Sequence, residues 1–276
     1  MCVDSVTSEA ISASATSPSM LPTVEMFGAT IVNIDYDELC AYLDECIAAK
    51  RSAYVVTPNV DHICRLEYDV AFQEAYRDAA LVLVDGTIVV WALRLLGIRI
   101  KEKLSGSDLV PRLSQFAADR SYSIFFLGAA EGVGAEAARR LQERNPGLRI
   151  AGVYSPPMGF EKNPEECEGI VRQLREANAD LCFVAFGSPK QEIWMRACAQ
   201  NSGMPVLLGI GASLDFAAGR VTRAPRLFQV LGLEWFWRLA LEPRRLWRRY
   251  LVDDARFLPI FFRAYFGRNQ SRDSRG

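Results

Sequence analysis

The chain has 276 residues, half of them hydrophobic, which is enough to bury a substantial core in one large domain or two small ones. Its formal net charge of −1 hides an asymmetry: residues 220–276 contain 13 arginines, no lysine and 5 acidic residues, so this part carries +8 and the first 219 residues carry −9. The seven cysteines form no CxxC pair and no stretch holds 18 consecutive apolar residues, which argues against a zinc site, a disulfide framework and a transmembrane helix.

The hydrophobic pattern divides most of the chain into alternating strands and helices. Residues 1–23 are rich in Ser, Thr and Ala, lack the basic start and apolar run of a signal peptide, and are predicted to form a disordered leader. In chain order we then expect a strand at 29–34, a helix at 35–50, a strand at 53–57, a helix at 61–79, a strand at 81–85, helices at 87–96 and 107–120, a strand at 122–128, a helix at 131–144, a strand at 149–154, a helix at 164–178, a strand at 181–187, a helix at 188–200 and a strand at 205–211. Only helices and turns follow residue 213.

Strands that are apolar throughout and alternate with helices are typical of a mostly parallel, Rossmann-like α/β sheet covered on both faces. Ligands in such folds bind beyond the carboxyl ends of the strands. Polar and glycine residues follow the predicted strands at these ends: Thr57 and Asn59, Asp85, Gly128, Tyr154, Gly187 to Gln191, and Gly211 leading to Asp215. Asp85 directly follows the apolar run Leu81–Val84, and a buried carboxylate is unfavourable without partners or a task. Asp85 is therefore predicted to meet the substrate.

Two glycine-containing turns are candidate anion sites. The stretch "FFLGAAEGVGAEAARRL" (125–141), with Gly128 at its turn, matches neither GxGxxG nor a Walker motif, so phosphate binding and a plain strand-to-helix turn both stay open. In "FGSPKQE" (186–192), Lys190 falls in the first helical turn, where a cation opposes the helix dipole and is suited to an anionic ligand. Gln191 can donate and accept hydrogen bonds, which suits a sugar, although a solvated helix start is the alternative.

Metal and histidine chemistry find little support in the sequence. The acidic "DYD" (35–37) resembles the metal-holding pattern of many sugar-nucleotide transferases, but its position at a helix start favours capping by Asp35. His62 is the only histidine, which excludes a metal site with two histidine ligands and leaves either a structural role or a single acid/base group.

The C-terminal segment interleaves aromatic residues with arginines, as expected at a membrane interface with anionic lipid. The aromatic residues are Trp235, Phe236, Trp237, Trp247, Tyr250, Phe257, Phe261, Phe262 and Tyr265. The arginines predicted to dock on the membrane are Arg244, Arg245, Arg248, Arg249, Arg256 and Arg263. We expect the first half of this segment to pack on the domain and the second half to be exposed. Nucleic-acid binding would explain the arginines but not the interleaved rings.

Several stretches, in this order, resemble the WecG/TagA/CpsF family of bacterial glycosyltransferases. They are "TPNVDH", "ALVLVDGTIVVWALRLLG", "GSDLVPRL", "FFLGAAEGVGAEAA", "FGSPKQE" and "GIGASLDFAAGRVTRAPRLFQVLGLEWFWRLALEPRRLWRRYL". The resemblance covers about residues 24 to 262, and its last stretch is long and specific.

The resemblance implies an inverting transferase that needs no metal or other cofactor. It would move an N-acetylmannosamine-type sugar or a related hexose from a UDP donor to an undecaprenyl-diphosphate-linked sugar, in the synthesis of a surface polysaccharide or teichoic acid. By the same resemblance, Asp85 is the general base and the arginine-rich C-terminus docks on the membrane and can complete the site. The implied substrate-binding set is Thr57, Asn59 and Gln191 at the sugar and diphosphate, Asp215 at the uracil end, and Lys103, Ser107, Asp108, Gly128, Gly187 and Lys190. Lys103 stands where relatives usually carry arginine and cannot form a bidentate fork on phosphate.

These patterns define an expected organisation: a leader (1–23), an α/β glycosyltransferase domain (24–240) and a membrane-docking appendage (241–276), on the cytoplasmic face of the plasma membrane. Two alternatives remain. A nicotinamide-dependent oxidoreductase fits the sheet but not the glycine pattern, and a non-catalytic membrane-associated nucleotide-binding module would have no need of Asp85, Asn59 and Gln191 at one edge. The sugars and the oligomeric state, a homo-oligomer included, stay open.

Overall fold

The computed structural model describes residues 21–273, and most of them build one α/β layer structure. The strands are β1 (Thr23–Met26), β2 (Ala29–Val32), β3 (Ala53–Val56), β4 (Leu81–Val82), β5 (Ser123–Gly128), β6 (Arg149–Tyr154), β7 (Leu181–Ala185) and β8 (Val206–Gly209). The helices are α1 (Tyr36–Ala48), α2 (Val60–Leu66), α3 (Val70–Arg77), α4 (Thr87–Leu95), α5 (Gly106–Arg120), α6 (Val133–Arg144), α7 (Pro164–Ala177), α8 (Lys190–Cys198), α9 (Ser213–Ala217), α10 (Arg226–Val230), α11 (Glu234–Leu241), α12 (Pro243–Arg248) and α13 (Phe257–Asp273). A π-helical turn (Arg249–Asp253) and a 3-10 turn (Asp254–Arg256) join the last two helices.

Six strands form a parallel sheet in the order β4-β3-β8-β7-β5-β6. Helices connect successive strands, so each connection returns the chain to the same end of the sheet. The carboxyl ends of β3, β4, β7 and β8 consequently meet at one edge, which we call the carboxyl edge. The predicted Rossmann-like α/β class is confirmed.

Alternate side chains of these strands point to opposite faces and build two buried clusters. On one face, side chains such as Val55 and Phe126 pack against α1, α5, α6 and α9. On the other, side chains such as Val56 and Leu127 pack against α2, α3, α4, α7 and α8, together with α13. Burial on both faces explains why the strands are apolar throughout rather than alternating.

The first predicted strand does not join the main sheet. Residues Ala29–Val32 pair antiparallel with β1, which the sequence pattern missed and which begins at Thr23, the last residue assigned to the leader. Since β1 is only partly buried, its apolar content is too low to stand out. Residues 1–20 of the predicted leader lie outside the described residues.

The helix predicted at 61–79 is two helices, because Asp69 caps the second one. Its carboxylate accepts a hydrogen bond from the backbone N–H of Phe72 at 3.1 Å, which starts α3 after a short break. Asp35 caps α1 in the same way: it accepts from the N–H of Glu38 at 3.0 Å, while Glu38 accepts from the N–H of Asp35 at 2.9 Å. The interpretation of "DYD" as a helix start is confirmed.

The C-terminal helices pack on the domain in a way that differs from the expectation. Both halves of the segment pack: α11 contains no buried residue, but Leu246 of α12 is buried in the first half, and Phe257 and Ile260 of α13 are buried in the second. The ring of Phe257 packs edge-on against Phe27, with the ring centres 5.5 Å apart. The expectation that only the first half packs is therefore wrong. Within residues 21–273, no helix is long and apolar enough to span a bilayer.

Candidate functional site

Asp85 lies at the carboxyl edge, three residues after β4, in the wall of a cavity of about 340 Å³. The four residues before it are buried, and its backbone N–H donates to the carbonyl oxygen of Pro58 at 3.1 Å. The start of α2, including Asn59, and the start of α4, including Thr87, also line the cavity. The structure thus brings Asp85 and Asn59 together, as the strand ends predicted.

The C-terminal segment contributes further residues to the lining of this cavity. Its residues there include Trp235 and Arg238 of α11, Tyr250 and Asp254 of the turns that follow α12, and Leu258 of α13. The segment that was predicted to dock on a membrane therefore also encloses the proposed base. We call the residues of this segment that line the cavity, from Trp235 to Leu258, the C-terminal wall.

The protein surroundings raise the pKa of the Asp85 carboxyl to about 7. Burial is the main cause, because it disfavours the charged form. The positive charge of Lys103 opposes this shift, and the carboxylates of Glu234 and Asp108 add to it. Near neutral pH such a carboxyl exchanges a proton readily, as a general base must.

A chain of charged groups links the base to α11. Asp108 accepts one hydrogen bond from the Ser105 hydroxyl at 2.6 Å and pairs with Arg223 at 2.6 Å and with Lys103 at 3.8 Å. Arg223 also approaches Glu234 at 3.6 Å. Burial alone would raise the pKa of Asp108. The hydrogen bond from Ser105 and the Arg223 guanidinium outweigh this effect, so the pKa lies below its usual value and the carboxylate stays ionised. Ser107, also predicted to bind substrate, lies 3.2 Å from Ser105 (Oγ to Oγ).

Thr57 and Asn59 lie directly after β3. The Thr57 hydroxyl is buried and 3.5 Å from the carbonyl oxygen of Gly209 at the end of β8. The Asn59 side-chain oxygen accepts a hydrogen bond from the N–H of His62 at 3.2 Å and so caps α2. This hydrogen bond fixes the Asn59 side chain, and Asn59 also lines the cavity.

Gln191 and Glu192 are buried in the first turn of α8, where Gln191 lies beside Gly209 at the end of β8. The Gln191 amide donates to Glu192 at 2.7 Å and accepts from the N–H of Gly211 at 3.1 Å, which fixes its orientation. Burial raises the pKa of Glu192 to about 7. Among the described residues, the second carboxyl oxygen of Glu192 has no hydrogen-bond partner.

A second cavity, of about 210 Å³, contains Asp215. Asp215 belongs to α9, and Phe216, Val221 and Arg238 line the same space. Arg238 therefore lines both cavities, and its guanidinium lies over the ring of Phe216 at 5.6 Å. A single side chain from α11 joins the space around the proposed uracil contact to the space around the proposed base.

Three other predicted binding residues have a local structural explanation, a contact or a backbone conformation. A side chain at Gly128 would place its Cβ 2.8 Å from the carbonyl group of Ala185, so close strand packing alone requires glycine there. Gly187 has a φ of +77°, which also favours glycine, but no atom lies within 4 Å of its missing Cβ. Lys190 pairs with Glu161 at 3.3 Å. Substrate contact at these positions stays a prediction.

His62 is buried and hydrogen-bonded to the hydroxyl of Tyr76 at 2.7 Å. Burial, with Arg249 and Arg65 nearby, lowers the pKa of His62 to about 3, so the imidazole is neutral at physiological pH. A neutral imidazole that is already paired inside the core supports the structural interpretation over the acid/base one.

The predicted membrane-docking arginines fall into two groups. Arg249 pairs with Asp61 at 3.3 Å, Arg263 bonds both carboxylate oxygens of Glu67 at 2.6 Å, and Arg256 lies over the ring of Tyr68 at 5.9 Å. These three contact the domain. Arg244 and Arg248 are exposed, and neither makes an ion pair with another described residue. The side chain of Arg245 lies outside the described part of the structure.

Sequence reasoning missed Arg223, Glu234, Arg238 and Glu192. The first three belong to a stretch that was interpreted by its aromatic and basic character, so their individual positions carried no signal. Glu192 stood next to Gln191 in a quoted motif, and a glutamate at the start of a helix looks like an ordinary dipole partner. Within residues 21–273, no group of three or more His, Cys, Asp or Glu side chains is arranged to hold a metal ion.

Comparison with known proteins places these features in one family. The sequence profile of the glycosyl transferase WecG/TagA/CpsF family matches residues 24–271. A protein of Bacillus spizizenii, N-acetylglucosaminyldiphosphoundecaprenol N-acetyl-beta-D-mannosaminyltransferase, is 33% identical over 210 residues, which are 76% of this chain and 77% of that protein. The matched profile includes both the carboxyl edge and the C-terminal wall.

Proposed function

We propose, from the premise that this chain belongs to the WecG/TagA/CpsF family of glycosyltransferases, that Asp85 is the general base of an inverting sugar transfer. The chain is thus a glycosyltransferase, and its relative from Bacillus spizizenii transfers N-acetylmannosamine to N-acetylglucosaminyl-diphospho-undecaprenol, as its name states. The proposed donor is a UDP-linked N-acetylmannosamine-type sugar or related hexose. The proposed acceptor is an undecaprenyl-diphosphate-linked sugar.

The observation that carries the proposal is the setting of Asp85 in its cavity. The acceptor hydroxyl oxygen attacks the anomeric carbon of the donor sugar, and its proton passes to the Asp85 carboxylate. The bond between that carbon and the diphosphate oxygen breaks at the same time, and its electron pair leaves with UDP. A carboxyl whose pKa is raised to about 7 is ionised often enough at neutral pH to accept the proton, yet basic enough to hold it.

Departure of UDP needs positive charge or hydrogen-bond donors near the diphosphate. The positive charge of Lys103 lowers the pKa of Asp85, and we propose that the same charge stabilises the departing diphosphate. Arg238 lines both cavities, so a diphosphate that bridges them would pass its guanidinium. These two cations support the proposal that side chains of this chain stabilise the departing diphosphate, although Arg238 precedes residues 241–276 of the expected appendage.

A lipid-linked acceptor requires the enzyme to work at a membrane surface. The C-terminal segment exposes large apolar side chains, and Arg244 and Arg248 are exposed among them. Exposed apolar groups beside arginines favour a surface of anionic lipid. We therefore place the enzyme at the cytoplasmic face of the plasma membrane, held peripherally by this segment.

The direct test combines the purified chain, UDP-N-acetylmannosamine and a short-chain prenyl-diphosphate N-acetylglucosamine. We expect acceptor-dependent release of UDP and an acceptor heavier by one sugar in the mass spectrum. Other UDP-hexoses in parallel identify the donor, and EDTA in one arm tests the metal independence that the family resemblance implies. Binding of UDP with no transfer from any UDP-hexose would contradict the proposed reaction and favour the alternative of a non-catalytic nucleotide-binding module.

A further inference from the structure

We propose that the C-terminal wall forms the subsite for the acceptor's sugar, with Trp235 and Tyr250 contacting its ring and Asp254 accepting its hydroxyl groups. This inference rests on the proposed function, because it assigns one of the two substrates to one side of the site. It also gives the C-terminal segment a role in recognition that is separate from membrane attachment.

The geometry of an inverting displacement determines which substrate lies on this side. The attacking oxygen and the leaving oxygen lie on opposite sides of the anomeric carbon. The base contacts the attacking oxygen, which belongs to the acceptor. The space next to Asp85 that lies away from the nucleotide is therefore acceptor space.

The two cavities divide in the same way. The smaller one contains Asp215 and Phe216, and the larger one contains Asp85 together with Trp235 and Tyr250. Only the larger one holds the base. Its volume of about 340 Å³ lies near the lower end of small-molecule sites, ~300–1,000 Å³. That space matches a sugar unit better than a whole nucleotide sugar.

The segment that lines the larger cavity also exposes apolar side chains. Leu258 lines the cavity and is 59% exposed, so it stands at the opening. Leu251, Val252 and Phe262 on the same segment are also exposed. With the acceptor sugar inside the cavity, the attached prenyl chain would lie along these apolar side chains and be shielded from water. A nucleotide has no comparable apolar group to bury there.

The chemistry of the wall suits a sugar. The rings of Trp235 and Tyr250 meet edge to face with centres 6.0 Å apart, and such rings cover the apolar C–H face of a pyranose. Asp254 offers a carboxyl group for hydroxyls. Asp61, by contrast, is already paired with Arg249 at 3.3 Å.

Asp254 is itself poorly satisfied by the protein. Its Oδ1 atom is buried and has no hydrogen-bond partner among the described residues, and burial raises its pKa to about 7 despite the nearby Arg249. A buried polar atom without a partner lowers the stability of the fold. A ligand hydroxyl at this position would supply the missing hydrogen bond.

The test measures binding without turnover, in protein that carries Asp85→Asn. Isothermal calorimetry gives the affinity for the short-chain prenyl-diphosphate N-acetylglucosamine and, separately, for UDP. The test variants add Tyr250→Leu or Asp254→Ala. The matched controls add Tyr265→Leu or Asp253→Ala, at positions on the same described segment outside the cavity wall.

We expect each test variant to bind the acceptor analogue about tenfold more weakly, and to bind UDP as tightly as the parent. The controls should bind both ligands normally. Asp254→Ala should also melt no earlier than the parent, because it removes an unpartnered carboxyl oxygen. A lower melting temperature, with equal loss of affinity for both ligands, would show a purely structural role and overturn the proposal. Loss of affinity for UDP alone, or an unchanged affinity for the acceptor analogue, would overturn it as well.

The wild-type enzyme separates this proposal from the proposed function. Binding of the acceptor analogue that depends on Tyr250 and Asp254, without transfer of any sugar, would contradict the reaction and keep the subsite. Transfer by the wild type with normal acceptor binding in both variants would contradict the subsite and keep the reaction. Failure of the wild type to bind the acceptor analogue would overturn both.

Discussion

Asp85 combines two properties that oppose each other, a buried carboxyl and a position open to substrate. Burial makes the ionised form unfavourable and raises the pKa to about 7, while Lys103 limits the shift. The folded protein thus binds a proton more tightly than the unfolded chain, whose aspartates titrate at about 3.9. The stability that Asp85 contributes is present below about pH 4 and is lost as the pH rises to about 7.

Asp85→Asn is accordingly expected to lower turnover by ~10²- to 10⁴-fold, because the amide cannot take the acceptor proton. The affinity for UDP should not change. At about pH 8 the variant should unfold at the same or a higher temperature than the wild type, since no buried charge remains. Rates of UDP release, UDP calorimetry and thermal melts check these three outcomes.

Asp37→Asn, the same change at an exposed position of α1, is the control and should behave as wild type. More than about a tenth of the wild-type rate in Asp85→Asn would exclude a base of this size.

The dependence of kcat/KM on pH is a second test of the surroundings of Asp85. The base works only when ionised, so kcat/KM should fall as the pH is lowered through about 7. This fall at low pH is the acid limb of the profile. Lys103 lowers the pKa of Asp85, and Lys103→Met should therefore move the acid limb to higher pH, besides lowering the rate. The measurement is kcat/KM against pH for both proteins.

Lys190→Met is the matched control, because Lys190 pairs with Glu161 and is not among the charges that shift Asp85. An acid limb that stays in place in Lys103→Met would contradict the electrostatic link between Lys103 and Asp85. A lower rate with an unmoved limb would leave Lys103 only the role of a diphosphate contact.

At the scale of elements, α13 determines where the C-terminal wall stands. Its buried residues Phe257 and Ile260 join the core on the face of the sheet that also holds α2, and Arg263 bonds to Glu67 just after α2. The cavity around Asp85 lies between these docked helices and the carboxyl edge. Loss of the packing of α13 would therefore open the site without touching a reacting group.

Phe257→Ala is expected to lower the free energy of unfolding by about 3–5 kcal/mol, or by less if the helix detaches before the core unfolds. Activity should fall as well, because Tyr250 and Asp254 lose their support. Denaturant unfolding and limited proteolysis of the C-terminal segment measure the two effects.

Phe262→Ala provides the comparison, since Phe262 is on the same helix and 50% exposed. It should cost under about 1 kcal/mol and leave the segment resistant to protease. Equal effects of the two substitutions would show that α13 is not held by its buried face.

At the scale of the whole molecule, the arginines that make the C-terminal part of the sequence basic divide between two sides of the C-terminal segment. One side contacts the domain through Arg249, Arg256 and Arg263, and the other exposes Arg244 and Arg248 beside Trp247. Deleting the segment would uncover Phe257's partners in the core and remove a wall of the site. Point substitutions of the exposed Arg244 and Arg248 are the cleaner test of membrane binding.

Arg244→Gln with Arg248→Gln should weaken binding to anionic vesicles by about 30-fold, since each arginine near such a surface contributes ~1 kcal/mol. Flotation with anionic and neutral vesicles measures the partition. Salt at about 1 M should remove the difference, because it shortens the screening length to ~3 Å.

Arg144→Gln with Arg172→Gln removes the same charge from exposed positions of α6 and α7, and it should leave flotation unchanged. Equal loss in both double variants would indicate an effect of net charge. No loss in either would contradict electrostatic docking by the C-terminal segment.

The sequence by itself determined what depends on local pattern. Apolar strands between helices identified a parallel sheet, and the parallel arrangement implied that Asn59 and Asp85 meet at one edge. The "DYD" stretch was correctly interpreted as a cap, because capping involves only residues within one helical turn. The family was recognisable from short stretches in a fixed order.

Only the tertiary structure decided how distant segments meet. The sequence shows that the start of α13 is apolar on most sides, but not that Phe257 packs on Phe27, more than two hundred residues earlier in the chain. For the same reason, the sequence did not reveal that Arg238 lines two cavities or that Tyr250 and Asp254 enclose Asp85. Such contacts depend on the summed geometry of every element between them, whereas propensity and capping are set by neighbours in sequence.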